Sequence, residues 1–244
     1  MNVKPDVHMN ETSNLDQNLL LRAASEGVRT RIAGHLTSVE MKAGDVLYES
    51  GELINDLYFP TSGIVTLLMV TMDGQSSEVA LVGNEGVVGI ELFLGGESTL
   101  SRPFVQSAGH AYKLKRTYLE AELNRDNEFY HLLLRYTQAL ITQIAQNAAC
   151  NRQHSIEQHL CRWLLQSMDR VDGDELTMTQ EMIANMLGVR REGVTVAAHR
   201  LQQAGLIEYR RGHIKIMNRH KIEELCCECY ADIRREYDRL GMFA

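Results

Sequence analysis

The stretch Thr179-Gln-Glu-Met-Ile-Ala-Asn-Met-Leu-Gly188-Val-Arg-Arg-Glu-Gly-Val-Thr-Val-Ala-Ala-His-Arg-Leu-Gln-Gln-Ala204 decides the fold. It divides at Gly188 into two short helices. Thr179 is placed to cap the first, its hydroxyl taking an orphan backbone N–H of the opening turn. Ile183 and Leu187, four apart, give that helix an apolar stripe, and Ala184 beside them leaves room for a crossing helix. Gly188 reaches positive φ at low cost and ends the helix. The second helix, from about Arg190, turns Val194, Ala197 and Leu201 to one buried face and Arg190, Arg191, Glu192 and Thr195 to the other. The pattern predicts a helix-turn-helix whose polar, basic N-terminal end is the part such motifs present to base edges in the major groove. An ordinary helical hairpin is the bland alternative, and it does not need the alanine, the glycine and the apolar positions all in place.

The net charge of −7 is misleading until it is divided. From Val189 to Lys221 eight basic residues stand against two acidic ones, a net +6 that leaves −13 for the rest of the chain. An acidic body repels the phosphate backbone while one basic face attracts it, which favours a single orientation on DNA. The 244 residues suffice for two domains, and 44% hydrophobic with 23% charged residues is the composition of a soluble globular protein. No apolar run reaches the roughly 18–20 residues of a membrane span. The polar opening Met1–Asn18 lacks a basic start and apolar core, so a cytoplasmic location is expected. The five cysteines, at 150, 161, 226, 227 and 229, are odd in number and suit reduced thiols better than disulfides.

Outward from the motif, residues 1–18 read as a polar tail, and Leu15–Ala33 as short helix. Between Leu36 and Leu114, apolar runs (Val46–Tyr48, Leu57–Phe59, Ile64–Val70, Glu78–Val82) alternate with glycine turns, which predicts a jelly-roll β-barrel over 19–124. Residues 125–153 read as one long helix and hinge. On it Leu133, Thr137, Leu140, Ile144 and Ala148 form a seam of three- and four-residue steps, suited either to a twin helix or to packing on the helix's own domain. Asn151–Ser155 is the expected hinge, and Ile156–Met168 the first core helix of a domain over 154–222. Gly205 stops the recognition helix. Leu206–Met217 reads as a β-hairpin wing turning at Arg211-Gly212, with Arg210, Arg211 and His213 at its tip for phosphate. A final polar helix is expected within 223–244. The predicted class is α+β: an N-terminal jelly-roll, a long dimerisation helix and a C-terminal winged helix-turn-helix.

The glycine frame Gly44-Asp-Val-Leu-Tyr-Glu-Ser-Gly51-Glu followed by Leu57-Tyr-Phe-Pro-Thr-Ser-Gly63-Ile-Val resembles that of cyclic-nucleotide-binding domains. With the helix-turn-helix after it, the chain over roughly 20–220 resembles the cyclic-AMP receptor and fumarate-nitrate regulator (Crp/Fnr) family of bacterial transcription regulators. The resemblance implies double-stranded DNA, a homodimer paired through Leu133, Thr137, Leu140 and Ile144, and RNA polymerase as partners, with no membrane and no catalytic residues. It places the base-reading pair on Arg191 and Glu192 and a phosphate contact on Gln180, within a DNA-contacting set of Thr179, Gln180, Arg190, Arg191, Glu192, Thr195, His199, Arg210 and Arg211. Val196 stands where the cyclic-AMP branch has a further base-reading arginine, so a different operator is expected. The effector segment falls on Gly86, Gly89, Glu91, Ser101 and Arg102. There Val87 replaces the ribose-binding glutamate, the Arg-Ser pair is inverted as Ser101-Arg102, and the long helix carries Ile144-Ala145 in place of a Thr-Ser pair. Unpaired ribose hydroxyls cost about 1–3 kcal/mol, which argues against cyclic AMP and leaves room for another small-molecule effector or none.

Cysteine sensing is the rival reading: a redox- or metal-responsive regulator using Cys150, Cys161 and the Cys226–Cys229 cluster. The iron–sulfur branch of the family carries an N-terminal cysteine cluster, however, and no cysteine here precedes Cys150. One C-x-x-C without a second pair is a weak signal, and Cys150 and Cys161 fall on predicted helices as small apolar residues, so no metal site is expected. His154 and His159, five apart, share a helical face poorly. Two other classes are a nucleotide-binding module acting on a protein partner, disfavoured by the basic wing, and a cupin-like enzyme, disfavoured because His110 is the only histidine between Leu36 and Leu114.

Overall fold

The alternating apolar runs and glycine turns of residues 36–115 fold into two three-stranded antiparallel sheets in a jelly-roll-like arrangement. β1 (Leu36–Met41), β2 (Asp56–Pro60) and β6 (Gly109–Lys115) lie in the order β1-β6-β2; β3 (Ile64–Val70), β4 (Ser76–Val82) and β5 (Ser101–Ser107) in the order β4-β3-β5. The structure, a computed structural model, describes residues 15–125 and 127–241. Val46–Tyr48 is not a strand: only Val46 bridges to Phe104. The Leu47 N–H donates to the Pro103 carbonyl, and Pro103 has no N–H to return, so the ladder stops.

The central strand β3 explains its own hydrophobicity, broken only at Thr66. Val65 and Leu67 enter the core between the sheets, while Ile64 and Leu68 face the other way and join a second core with Leu160, Trp163 and Leu164. A strand covered on both faces loses the polar alternation of a half-exposed one. The C-terminal domain is therefore docked on the outside of the β4-β3-β5 sheet.

The long helix spans Asn127–Gln153, and a capping box at Ser155 starts the next helix, Ile156–Met168, almost at once. The hinge is thus narrower than expected. Leu133, Thr137 and Leu140 are buried within the chain and Ile144 is half-buried against the same core, so these residues face the helix's own domain and not a twin. Packing on a sheet and packing in a coiled coil use the same three-and-four spacing, which is why spacing could not choose between them. The solvent side carries a second stripe with that spacing: half-buried Leu134, then exposed Gln138, Ile141, Ala145 and Ala148. Ile141 is 59% exposed.

The C-terminal segment also departs from expectation. It forms two helices, Arg219–Leu225 and Glu228–Arg239, broken at Cys226-Cys227. The second is not a polar surface helix: Ile233 and Tyr237 belong to the core of the β domain, and Tyr237 meets Tyr136 of the long helix edge-on, with ring centroids 6.4 Å apart. At the other end, Leu15 and Asn18 are buried, and the Asn18 amide donates to the Pro60 and Gly86 carbonyls at 2.8 and 2.9 Å. These residues of the expected tail are core; positions 1–14 lie outside the described residues.

A buried polar network joins the two domains. Arg170 Nε donates to Glu85 Oε1 at 2.8 Å, Arg170 Nη2 to Gln143 Oε1 at 3.2 Å, and the Gln143 amide to the Leu81 carbonyl at 3.0 Å. The Trp163 indole N–H donates to Glu78 at 3.0 Å, and burial pushes that carboxyl up to about 7 against the opposing pull of Arg162, the indole and Arg170. Among the described residues no helix is long and apolar enough to cross a membrane.

Candidate nucleic-acid interface

The reading head is built as its local chemistry dictates. Thr179 caps the supporting helix Gln180–Leu187, its hydroxyl accepting from the Met182 N–H at 3.2 Å. Gly188 sits at φ 63°, and the N–H groups of Gly188 and Val189 close on the Asn185 and Ala184 carbonyls. The recognition helix runs Arg191–Gln203 with Arg190 extended at its cap. Val194, Ala197 and Leu201 are buried, as their spacing predicts. Gly193 eases the close crossing of Ile156–Met168: a Cβ there would lie 2.7 Å from Ile156 Cδ1, so the end of that side chain would have to turn aside.

Arg190, Arg191, Glu192 and Thr195 are exposed at the N-terminal end of this helix, and His199 is exposed one turn beyond Thr195. Thr195 Oγ1 donates to Gln180 Oε1 at 2.7 Å, which links the two helices and orients the glutamine. Arg191 approaches Glu181 only to 3.8 Å with both side chains largely exposed. Such a pair is worth about 0–1 kcal/mol, so the guanidinium is free to turn to another acceptor. Val196, 52% exposed, shares the outward face with Glu192, Thr195 and His199. It is the residue spacing alone did not assign, and its signal was an apolar side chain one position off the buried stripe.

The wing is a two-residue hairpin. β8 (Ile207–Arg210) and β9 (His213–Ile216) pair Arg210 with His213, and β7 (Glu175–Thr177) completes the order β7-β9-β8. Arg211 at φ 50° and Gly212 at φ 85° give both central residues positive φ, the type I′ geometry that matches strand twist. The Met178 N–H donates to the Gly212 carbonyl at 2.6 Å and the Tyr209 hydroxyl to the Met178 carbonyl at 3.0 Å, so the wing is pinned beside the capped helix. Arg210 and Arg211 are exposed at the tip, Arg210 near Glu208 at 2.9 Å. His213 is engaged by Glu175 at 2.7 Å.

The residues expected to line an effector pocket are differently disposed. Gly86 lies under the Tyr136 ring, where a Cβ would come within 2.4 Å of it. Gly89 is buried with φ 100°, and Glu91 opens the short helix Glu91–Leu94. Ser101 lies 3.1 Å from the Thr99 hydroxyl, and Arg102 grips Glu49 with two bonds of 2.7 and 3.0 Å.

Four side chains that spacing did not group come together elsewhere: Cys150, His154, Cys227 and Cys229. Cys161 and Cys226 are left out of the group. The legible signal was Cys150 and His154, four apart on one helical face, with the C-x-C pair Cys227/Cys229 in place of the C-x-x-C that draws the eye.

Comparison with known proteins places these elements. A Crp-like helix-turn-helix domain model matches residues 158–225 and a cyclic nucleotide-binding domain model residues 38–126. FixK2 from Bradyrhizobium japonicum aligns at TM-score 0.66 with 20% identity, over 79% of this chain and 98% of that one. A crp/fnr-family regulator from Eubacterium rectale aligns at 0.68 with 16% identity, over 86% and 98%. The c-di-GMP responsive regulator CLP of Xanthomonas campestris aligns at 0.64 with 15% identity, over 79% and 99%. At these identities the likeness shows the fold. Among curated protein sequences none matches. The matched helix-turn-helix model is Crp-like, and the neighbours described by role are transcription regulators.

Proposed function

The chain belongs to the Crp/Fnr family of DNA-binding transcription regulators, and we propose that it reads a palindromic operator as a homodimer, in contact with RNA polymerase, without using cyclic AMP as its signal. One observation carries the reading: the exposed recognition-helix end, Arg190 to His199, stands beside a wing whose basic tip is held in register by Met178 and Tyr209. In this arrangement Arg191 grips guanine O6 and N7, Glu192 accepts from cytosine N4, and Val196 meets a thymine methyl. Gln180, Arg210 and Arg211 hold phosphates, and Thr179 sets the start of the helix that carries Gln180.

Pairing along the exposed stripe Gln138–Ile141–Ala145–Ala148 supplies the dimer, because one recognition helix discriminates too weakly alone. The absence of a cyclic-AMP role is supported by Tyr136, which covers Gly86. The test is selection of genomic DNA fragments by the full chain, with and without cyclic nucleotides. A two-fold symmetric motif common to both is expected, and Ile141→Asp is expected to abolish its recovery. A motif without two-fold symmetry, or one recovered only with a nucleotide, contradicts the reading.

A further inference from the structure

The hinge between the domains is where the unassigned chemistry collects. Cys150 is on the last turn of the long helix, and His154 is one turn on, at the junction with Ser155. Cys227 stands at the N-cap of the helix Glu228–Arg239, and Cys229 is in its first turn. One donor atom from each of these four residues lies within 4.8 Å of all the others. Chain segments more than 70 residues apart are thus brought to one point, and the three cysteines are buried.

The spacing is that of ligands around one ion. With Zn–S of about 2.3 Å and Zn–N of about 2.0–2.1 Å, a tetrahedral centre requires sulfur–sulfur edges of about 3.8 Å and sulfur–nitrogen edges of about 3.5 Å. Cys150 Sγ lies 3.5 Å from Cys227 Sγ, and Cys229 Sγ 3.6 Å from His154 Nδ1. A disulfide needs about 2.0 Å, so Cys150 and Cys227 are not bonded to each other. An iron–sulfur cluster would hold its ligand sulfurs apart around a polynuclear core, whereas these donors close on a volume for a single ion.

The surroundings match a metal's needs. The second nitrogen of His154, Nε2, faces Glu228 Oε1 at 3.4 Å, the carboxylate–imidazole arrangement that fixes a ligating ring's tautomer. His159 Nε2 meets the Cys150 carbonyl at 2.6 Å, which anchors that ligand's backbone. Three thiolates and a neutral imidazole on a divalent ion leave one negative charge, and the buried Arg162 guanidinium supplies the opposite sign beside Cys150.

We propose that Cys150, His154, Cys227 and Cys229 bind one zinc ion, which fastens the hinge of the long helix to the C-terminal helix. Binding exchanges three thiol protons for the ion, with three Zn–S bonds and one Zn–N bond formed and no change of oxidation state. The soft S₃N donor set and closed tetrahedral form select zinc over the harder divalent ions. Because the helix Glu228–Arg239 also inserts Ile233 and Tyr237 into the core of the β domain, the ion sets how the long helix meets the DNA-binding domain. That consequence rests on the DNA-binding reading; the metal site does not.

Metal analysis of full-length protein purified without chelator is expected to give one zinc per chain. Cys227→Ser and His154→Ala are expected to bring it well below one, while Cys161→Ser and Cys226→Ser keep it. Should the variants misfold, cobalt(II) replacement in the unaltered protein decides: the strong visible absorption of a tetrahedral thiolate complex is expected. A weak octahedral cobalt spectrum, or iron with acid-labile sulfide, would overturn the site. Chelation of the zinc protein is expected to open residues 151–155 to limited proteolysis, and unchanged cleavage would overturn the clamp. Operator selection fails or succeeds separately from the metal count, so the two readings are distinguishable.

Discussion

Two arginine–glutamate pairs show how differently the reading head and the domain seam use the same chemistry. Arg191 and Glu181 are 3.8 Å apart with side chains 64% and 62% exposed; Arg170 and Glu85 are 2.8 Å apart with side chains 1% and 0% exposed. The first pair is held in high dielectric and separates at little cost, so its guanidinium is available to a base edge. The second has lost its water, and neither partner can leave without stranding a buried charge. The head is free to change partners. The seam is made to keep them.

The largest test of that contrast is Glu85→Ala, which strands Arg170 and is expected to lower stability by about 3–5 kcal/mol in chemical denaturation. Glu181→Ala is expected to cost less than about 1 kcal/mol in the same measurement, and comparable losses would erase the distinction.

A pH series sharpens it next. Glu78 titrates near 7 in the folded chain against 4.5 for an unburied glutamate, because burial penalises its charged form. With the folded value above the unfolded one, its protonated form stabilises the seam fully below about pH 4.5, and that stability is lost as pH rises through about 7. At about 1.4 kcal/mol per unit the contribution is about 3 kcal/mol. Glu78→Gln keeps an acceptor for the Trp163 indole and is expected to flatten the decline between pH 5 and pH 8. Parallel melting curves for the two proteins would remove Glu78 from the seam's energetics.

On the head, Arg191→Ala is expected to forfeit about 1–3 kcal/mol of discrimination at one base pair, read as competition between matched and substituted sites. Unchanged preference would take the residue out of the groove. The smallest effects belong to the wing. Arg211→Gly is expected to weaken binding to all sequences alike and reduce the salt dependence by about one ion. It is also expected to raise stability by about 1 kcal/mol or less, since Arg211 holds φ 50° where glycine is unstrained. A change in base preference would mean that the wing reads sequence.

The legible and illegible features divide along the same line. Thr179, Gly188 and Gly205 act on their own neighbours, so the helix-turn-helix was readable down to its caps. The Arg211-Gly212 turn was readable for the same reason. The seam on the long helix was visible as a period but not as a direction, because Leu133, Thr137 and Leu140 answer to the β domain while Ile141 and Ala145 answer to solvent. The C-terminal helix looked polar because its buried face consists of few residues, Tyr230, Ile233 and Tyr237 prominent among them.

What the sequence by itself determined is whatever depends on contacts within a turn or two: caps, stops, hairpin geometry and the buried stripe of the recognition helix. Only the tertiary structure decided which side of the long helix is free, that Arg170 finds Glu85, and that Cys150 and His154 meet Cys227 and Cys229. Those partners lie 75 or more positions apart, and no local period encodes a meeting that depends on how two domains and a returning helix pack.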